Sequence, residues 1–170
     1  MERENVNPDQ ADTKYGRTPL SWAAMKWHDG VIKLLLERQD IDHNQVVTEY
    51  GQTLLSCAAE RGCEEVAIAL LERPDVSPDQ VDTKYGRTPL AWAAGRRHEG
   101  IVKMLLERPD VNPDRADTEY GRTPLSWAAG IGHEGIVGML LERKDVNPDQ
   151  ADTKYGRTPL SWAIKNGIPG

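Results

Sequence analysis

The sequence predicts an all-α solenoid, in which helix-turn-helix units stack along one axis and are joined by projecting loops or β-hairpin fingers. The segment Asp-Thr-Lys-Tyr-Gly-Arg-Thr-Pro-Leu stands at 12–20, 82–90 and 152–160, with near-copies at 47–55 and 117–125. Its glycine therefore recurs every 35 residues. A period of this size indicates one supersecondary unit copied along the chain, and each copy needs its neighbours to bury its apolar face.

Each unit begins with a first helix, helix A, for which the repeat at 82–116 serves as the example. Thr88 suits the N-cap, and Pro89 suits the first helical position because the N–H that it lacks would have no helical partner there. At about 100° per residue, Leu90 and the following Ala-Ala pair share one face, and Trp92 points roughly opposite. The small alanines allow another helix to approach closely.

A second helix, helix B, is expected near Glu99 to Arg108. Its apolar face is so wide that it must be covered by its own helix A and by the helices of adjacent repeats. Pro109 ends helix B. The turn residues that follow, with Gly121 where a positive φ is expected, predict a projecting loop or hairpin called the finger.

The chain is expected to be a single array over 1–170. Neither end shows a clear polar cap, so we interpret the chain as a piece of a longer array, with a short natural gene product as the alternative. The complete repeats are predicted at 12–46, 47–81, 82–116 and 117–151, and the partial end repeats at 1–11 and 152–170.

This pattern resembles the ankyrin repeat over essentially the whole chain. The near-identical copies and their Asp-Val-Asn-Pro-Asp loops are similar to the ankyrin arrays of filamentous fungi. The resemblance implies a protein-interaction module that binds on its concave face and fingers, as the recognition segment of a larger intracellular protein. The matching residues are Gly86, Thr88, Pro89, Leu90, Ala93, Ala94, Val102, Leu105, Leu106, Gly132 and His133.

The repeats depart from the common ankyrin pattern in three ways. The period is two residues longer, which predicts longer or bulged fingers. Serine or alanine replaces the customary histidine after Thr-Pro-Leu. A tryptophan follows in four of the five copies, at Trp22, Trp92, Trp127 and Trp162, with Cys57 in the remaining one. The concave face should therefore be unusually aromatic.

Composition excludes several function classes. With 27 acidic and 21 basic residues the net charge is −6, which argues against a nucleic-acid or anionic-membrane surface over the whole molecule. No apolar run approaches the roughly 20 residues of a membrane span, and the opening residues form no signal peptide. Cys57 and Cys63 share one repeat and make no disulfide framework. We expect a cytoplasmic protein.

No catalytic or metal-binding motif stands out. His28, His98 and His133 occupy one turn position in separate repeats, which is no metal-ligand spacing. Ser/His/Asp sets, paired catalytic carboxylates, Walker loops and Cys-x-x-Cys sites are missing from the sequence. We therefore expect no enzymatic activity, no cofactor and no metal.

Differences between the copies concentrate just after the Ala-Ala pair, at 25–28, 60–63, 95–98 and 130–133. In ankyrin-like arrays this region and the fingers form the partner-binding surface, and drift at exposed positions is the alternative. We place the contact on the central repeats, because only these have neighbours on both sides. The predicted partner-binding residues are Tyr85, Trp92, Arg96, Arg97, Tyr120, Trp127 and Ile131.

The Tyr, Arg and Trp of successive repeats predict three parallel stripes, and these residue types are enriched at binding hot spots. We favour a structural role for most copies, with arginine planes between tryptophan rings as cation–π spacers. The finger position before Tyr alternates between Lys and Glu, which predicts a surface ladder of opposite charges.

Two positions predict local differences in stability. Trp27 and Arg97 stand where a left-handed residue is expected, so glycine there should stabilise unless the side chain buries apolar area worth more. The repeat at 47–81 should be weakest at its beginning, because Val47 replaces the loop Asp and Leu54 replaces the helix-starting Pro.

Three functions compete at this point. A protein or peptide partner on the concave face is the leading hypothesis. The alternative is a structural or self-associating array whose unfinished ends stack, which would depend on protein concentration. Nucleic-acid binding through the arginine stripe is unlikely given the net charge of −6, and it would show steep salt dependence.

Overall fold

The computed structural model describes residues 7–166, so the predicted end repeats lie partly outside the described residues. That part of the chain contains nine α-helices, in which each odd-numbered helix is a helix A and each even-numbered helix a helix B. The helices are α1 (Pro19–Lys26), α2 (Asp29–Leu36), α3 (Leu54–Arg61), α4 (Glu64–Leu71), α5 (Pro89–Arg96), α6 (Glu99–Leu106), α7 (Pro124–Gly130), α8 (Glu134–Glu142) and α9 (Pro159–Lys165).

The all-α solenoid is confirmed. Helix A packs on the helix A of the next repeat, and helix B on the next helix B. In the described range the β-contacts amount to one isolated bridge between Val46 and Thr53, so the fingers are turns. Helix α6 ends at Leu106 rather than at Arg108, because the chain turns before Pro109.

A threonine N-cap starts every helix A. The Thr88 hydroxyl accepts a hydrogen bond from the Ala91 amide at 3.1 Å, and Pro89 occupies the first turn. In α3 the proline is replaced by Leu54, yet Thr53 still accepts from the Ser56 amide at 3.3 Å. The predicted helix start therefore holds even where its proline is missing.

The core lies between the two helix layers. Leu90, Ala93 and Ala94 of α5 are fully buried, as the helical period predicts. The expectation that Trp92 points away from the core was wrong, since it is only 6% exposed and belongs to the core cluster. The ring of Tyr85, with its centroid 5.8 Å away, packs edge-on against the Trp92 indole.

Adjacent fingers are joined through their backbones. The Tyr50 carbonyl accepts hydrogen bonds from the amides of Thr83 (3.1 Å) and Lys84 (3.2 Å). The Tyr120 carbonyl accepts in the same way from Thr153 and Lys154, and the Tyr85 carbonyl accepts from the Thr118 amide. These bonds hold the second to the fifth fingers in register.

The predicted ladder of opposite finger charges forms no direct ion pairs in the described residues, although the pKa of Lys84 is raised by a hydrogen bond with Tyr85 and, more weakly, by the charge of Glu49. Lys84 places its ammonium 4.0 Å from the centroid of the Tyr50 ring, and Glu119 pairs with Arg87 at 3.1 Å. Across residues 7–166, no finger lysine forms an ion pair with a finger glutamate. The tyrosine rings lie nearer to the lysines and offer them a cation–π contact.

The end of helix A adopts the predicted left-handed conformation in four repeats, with φ of 52° at Trp27, 77° at Gly62, 69° at Arg97 and 69° at Gly132. Trp27 is half-buried against the core, and its ring lies 4.9 Å from the Arg61 guanidinium. Arg97 is exposed. The two non-glycine residues therefore bear similar backbone strain but differ in what their side chains contribute.

Arg97→Gly should be about 1 kcal/mol more stable than Arg97→Ala, because both variants lose the exposed hydrogen bond from Arg97 to the Ile131 carbonyl and only glycine relieves the left-handed backbone. Trp27→Gly should destabilise the protein, because the half-buried indole is lost. Urea unfolding monitored by circular dichroism measures both changes. Arg97→Ala is the control, since it removes the side chain and keeps the strain. Equal stability of Arg97→Gly and Arg97→Ala would contradict the prediction.

Amide exchange should expose the weak beginning of the second repeat. The Tyr85 amide donates to Asp82 Oδ1 at 2.6 Å, whereas Val47 offers Tyr50 no carboxylate. We expect the Tyr50 amide to exchange at least about tenfold faster than that of Tyr85, since a hydrogen bond to a charged group is worth about 1.5–3 kcal/mol. NMR-detected hydrogen exchange measures the ratio, and comparable rates at the two tyrosines would contradict it.

Candidate partner-binding groove

An aspartate at the start of the finger ties the finger to helix A. Asp82 Oδ1 accepts hydrogen bonds from the backbone amides of Lys84 at 3.0 Å and Tyr85 at 2.6 Å. Asp82 Oδ2 accepts from Trp92 Nε1 at 3.0 Å. One buried carboxylate therefore fixes both the turn and the indole. The bond recurs as Asp12–Trp22 (2.9 Å), Asp117–Trp127 (2.8 Å) and Asp152–Trp162 (2.7 Å).

Arginines fill the spaces between the indoles. The Arg87 Cζ lies 4.7 Å from the Trp92 ring centroid and 4.1 Å from that of Trp127. Arg122 lies 4.6 Å from Trp127 and 3.4 Å from Trp162. The predicted cation–π spacers are confirmed. Together with the Asp–Trp bonds they form what we call the Asp-Trp-Arg stack, made of Asp82, Arg87, Trp92, Asp117, Arg122, Trp127, Asp152 and Trp162.

The stacked guanidinium groups are desolvated. Burial lowers the pKa of Arg122, and the nearby carboxylates of Asp152 and Asp117 oppose that shift. The Nε atoms of Arg87 and Arg122 are buried and have no hydrogen-bond partner within the described residues. Arginine remains charged even so, because the ordinary pKa of a guanidinium lies far above neutral pH. The stack therefore holds fixed positive charge beside the groove floor.

The second repeat interrupts the stack at all three positions. Val47, Gln52 and Cys57 replace the aspartate, the arginine and the tryptophan together. Gln52 Nε2 donates to Glu60 at 2.8 Å instead. Burial raises the pKa of the Cys57 thiol to about 12, so the thiol stays neutral. The three substitutions replace an aspartate, an arginine and an indole by uncharged side chains.

The concave side forms a groove of about 920 Å³ between the finger tyrosines and the helix A layer. Tyr120 anchors its wall, with its ring edge-on to Trp127 at 6.1 Å and stacked on Tyr155 at 6.4 Å. The groove runs across all five copies of helix A, from Ala24 of the first to Lys165 of the last.

The groove brings together five of the seven predicted site residues. These are Tyr85, Trp92, Arg96, Tyr120 and Trp127. Arg97 and Ile131 lie outside its lining at the ends of α5 and α7, where Arg97 Nη2 donates to the Ile131 carbonyl at 2.6 Å. Trp92 is too buried to offer a partner much surface.

Sequence reasoning missed other lining residues. Lys165 occupies the position in the last repeat that corresponds to the variable segments, and comparison with those segments would have found it. Arg61 lies in the variable segment 60–63 that the sequence indicated, although it was not among the seven predicted residues. Arg122 also lines the groove, but the sequence predicted it only as a member of the arginine stripe. Its access to the groove depends on how the repeats stack.

Paired helices in register, with turn-like fingers and a concave groove, define a helical repeat protein. The family model of ankyrin repeats matches it in three copies, at 3–82, 42–117 and 110–169, so the chain belongs to the ankyrin-repeat family. Ankyrin repeats are generally protein–protein interaction modules. No curated protein matches the chain. In the described residues, no helix is both long and apolar enough to cross a membrane.

Restoring the missing stack should stabilise the second repeat. The triple variant Val47→Asp/Gln52→Arg/Cys57→Trp returns the charged hydrogen bond and a cation–π spacer, together worth about 2 kcal/mol. Cys57→Trp alone should destabilise, because its indole N–H finds no carboxylate. Urea unfolding of the single and triple variants measures the coupling between the three positions. Additive effects would contradict the stack as a cooperative unit.

Proposed function

We propose that this chain binds a protein partner in the concave groove and along the fingers, as the recognition segment of a larger intracellular protein. The observation that carries the proposal is the groove itself, which is lined by Tyr and Arg side chains that the Asp-Trp-Arg stack holds in place. Tyr, Trp and Arg are the types that dominate binding energy at protein interfaces.

Rigid presentation supplies the mechanism. Tyr120 is held edge-on by Trp127 and face-on by Tyr155, so little side-chain freedom remains to be lost on binding. Preorganisation of this kind improves affinity because association otherwise costs roughly 0.5–1.5 kcal/mol per immobilised side chain. The buried Trp92 acts as the support for Tyr85 and Arg96, which meet the partner.

The intracellular setting rests on the cysteines. Cys57 and Cys63 are both free thiols. A disulfide-poor repeat array suits a reducing compartment.

Arg96→Glu/Ile131→Glu should weaken partner binding at least tenfold, because it reverses a groove charge and places a second acid beside it. Arg96 is exposed and Ile131 half-buried, so the fold should persist. Affinity for a partner recovered from a displayed peptide library, alongside circular dichroism, measures the effect. Lys103→Glu/Ile68→Glu is the matched control on helix B. Equal affinity of the parent and the folded groove variant would move the site elsewhere.

A self-associating array is the second candidate. Leu160 is 59% exposed, whereas its equivalents Leu90 and Leu125 in inner repeats are at most 2% exposed. Ile164 on the same helix is 61% exposed. A second copy covering these residues would make the sedimentation coefficient rise with protein concentration, which separates this function from binding in the groove.

A further inference from the structure

The charge of the groove is opposite to that of the chain. The whole chain carries a net charge of −6, but the groove is lined by six cationic and three anionic side chains. The cationic residues are Arg17, Arg61, Arg87, Arg96, Arg122 and Lys165, and the anionic residues are Glu49, Glu60 and Glu119.

Two of the glutamates are already matched inside the protein. Glu60 pairs with Arg96 at 2.9 Å, and Glu119 pairs with Arg87 at 3.1 Å. These pairs lie near the middle of the groove and neutralise it there. The excess positive charge therefore belongs to the remaining cations.

Those four cations, Arg17, Arg61, Arg122 and Lys165, have no ion-pair partner among residues 7–166. Arg61 and Lys165 are exposed. Arg122 is wedged against the Trp162 ring, with its Cζ 3.4 Å from the ring centroid. Its charge is therefore held in place beside the groove, where Asp117 and Asp152 lie near it without forming a direct ion pair in the described part of the chain.

Ordinary helix electrostatics do not account for this excess. A cation at the C-terminal end of a helix is favourable in any protein, which explains Arg61 in α3 and Lys165 in α9. It does not explain Arg17 and Arg122, which lie on fingers before the N-terminal ends of α1 and α7. A helix N-terminus disfavours cations.

We propose that the partner presents an extended acidic segment to this groove, an inference that rests on the proposed binding function. Carboxylates of the segment would meet Arg17 and Arg61 toward one end and Arg122 and Lys165 toward the other. Five helices spaced by about 8–10 Å span about 32–40 Å. An extended chain covers that length with about a dozen residues.

The groove also favours an aromatic or apolar side chain within that segment. Tyr85 and Tyr120 line its middle, where the internal ion pairs leave little net charge. The segment would therefore carry acids toward its ends and an apolar or aromatic residue between them. A polynucleotide bears charge evenly along its length, which suits this distribution less well.

Fluorescence anisotropy with three labelled probes of about a dozen units tests the proposal. The first is a peptide of Glu, Asp, Gly and Ser with a central Tyr, the second replaces its acids by Lys, and the third is single-stranded oligouridylate. The acidic peptide should bind at least about tenfold more tightly than the other two. Its affinity should decrease when the salt concentration is raised from about 0.05 to about 0.15 M, as expected for an electrostatic contact.

Two variants with equal net charge locate the binding. Arg61→Glu/Lys165→Glu should weaken the acidic peptide roughly tenfold or more, because it reverses two groove cations. Lys103→Glu/Lys144→Glu changes two exposed lysines outside the groove lining, and should weaken it less than about twofold. Circular dichroism shows that both variants are folded. Equal weakening by the two variants would overturn the proposal, as would tighter binding of oligouridylate.

A displayed peptide library separates this inference from the proposed function. One outcome is that the library yields neutral or basic peptides that bind the Arg96→Glu/Ile131→Glu variant more weakly than the parent. That result would support the groove as the binding site and would overturn the proposal that its partner is an acidic segment. A library that yields no binder sensitive to that double variant would overturn both. Enrichment of acidic binders with an aromatic residue would support both.

Discussion

The structure depends on an arginine guanidinium held between two tryptophan rings of successive repeats. Arg87 fills the space between Trp92 and Trp127, at 4.7 and 4.1 Å from their centroids. A repeat array is stable only through contacts between neighbours, and each such cation–π contact adds about 0.5–2 kcal/mol to them. The planar cation therefore fills the space between neighbouring indoles on the concave side. It also brings a charge to the floor of the binding groove.

The buried aspartate reduces the free-energy cost of burying the arginine. Removing a guanidinium from water costs free energy, and the carboxylate of Asp117 offsets part of that cost because its Oδ2 lies 3.8 Å from Arg87 Nε. The same carboxylate holds Trp127 through a 2.8 Å hydrogen bond. Removing one member leaves another buried polar group unmatched, so the three positions depend on one another. This dependence gives a physical reason for the joint replacement of all three in the second repeat, at Val47, Gln52 and Cys57.

The sequence predicted the features that one repeat determines by itself. The 35-residue period, the Thr88 cap and the left-handed Arg97 each follow from local chemistry. The errors concern contacts between repeats. The burial of Trp92, the lysine over Tyr50 and the position of Arg122 in the groove depend on how closely neighbours approach. Periodicity gives the order of the repeats but not that distance.

Internal contacts explain how an acidic chain has a cationic groove. Many acids lie in the loops that follow helix B, where they serve the fold. Arg108 pairs with Asp110 at 2.7 Å and lowers its pKa, and Asp79 accepts a hydrogen bond from the Asn112 amide of the next repeat at 2.6 Å. These carboxylates therefore form ion pairs and hydrogen bonds within the protein that stabilise the array. In the groove, Arg87 and Arg96 are likewise paired with glutamates. Arg61 and Lys165 instead contact aromatic rings, which fix a cation without neutralising it. Positive charge therefore stays available on the concave side while much of the negative charge is used in the loops.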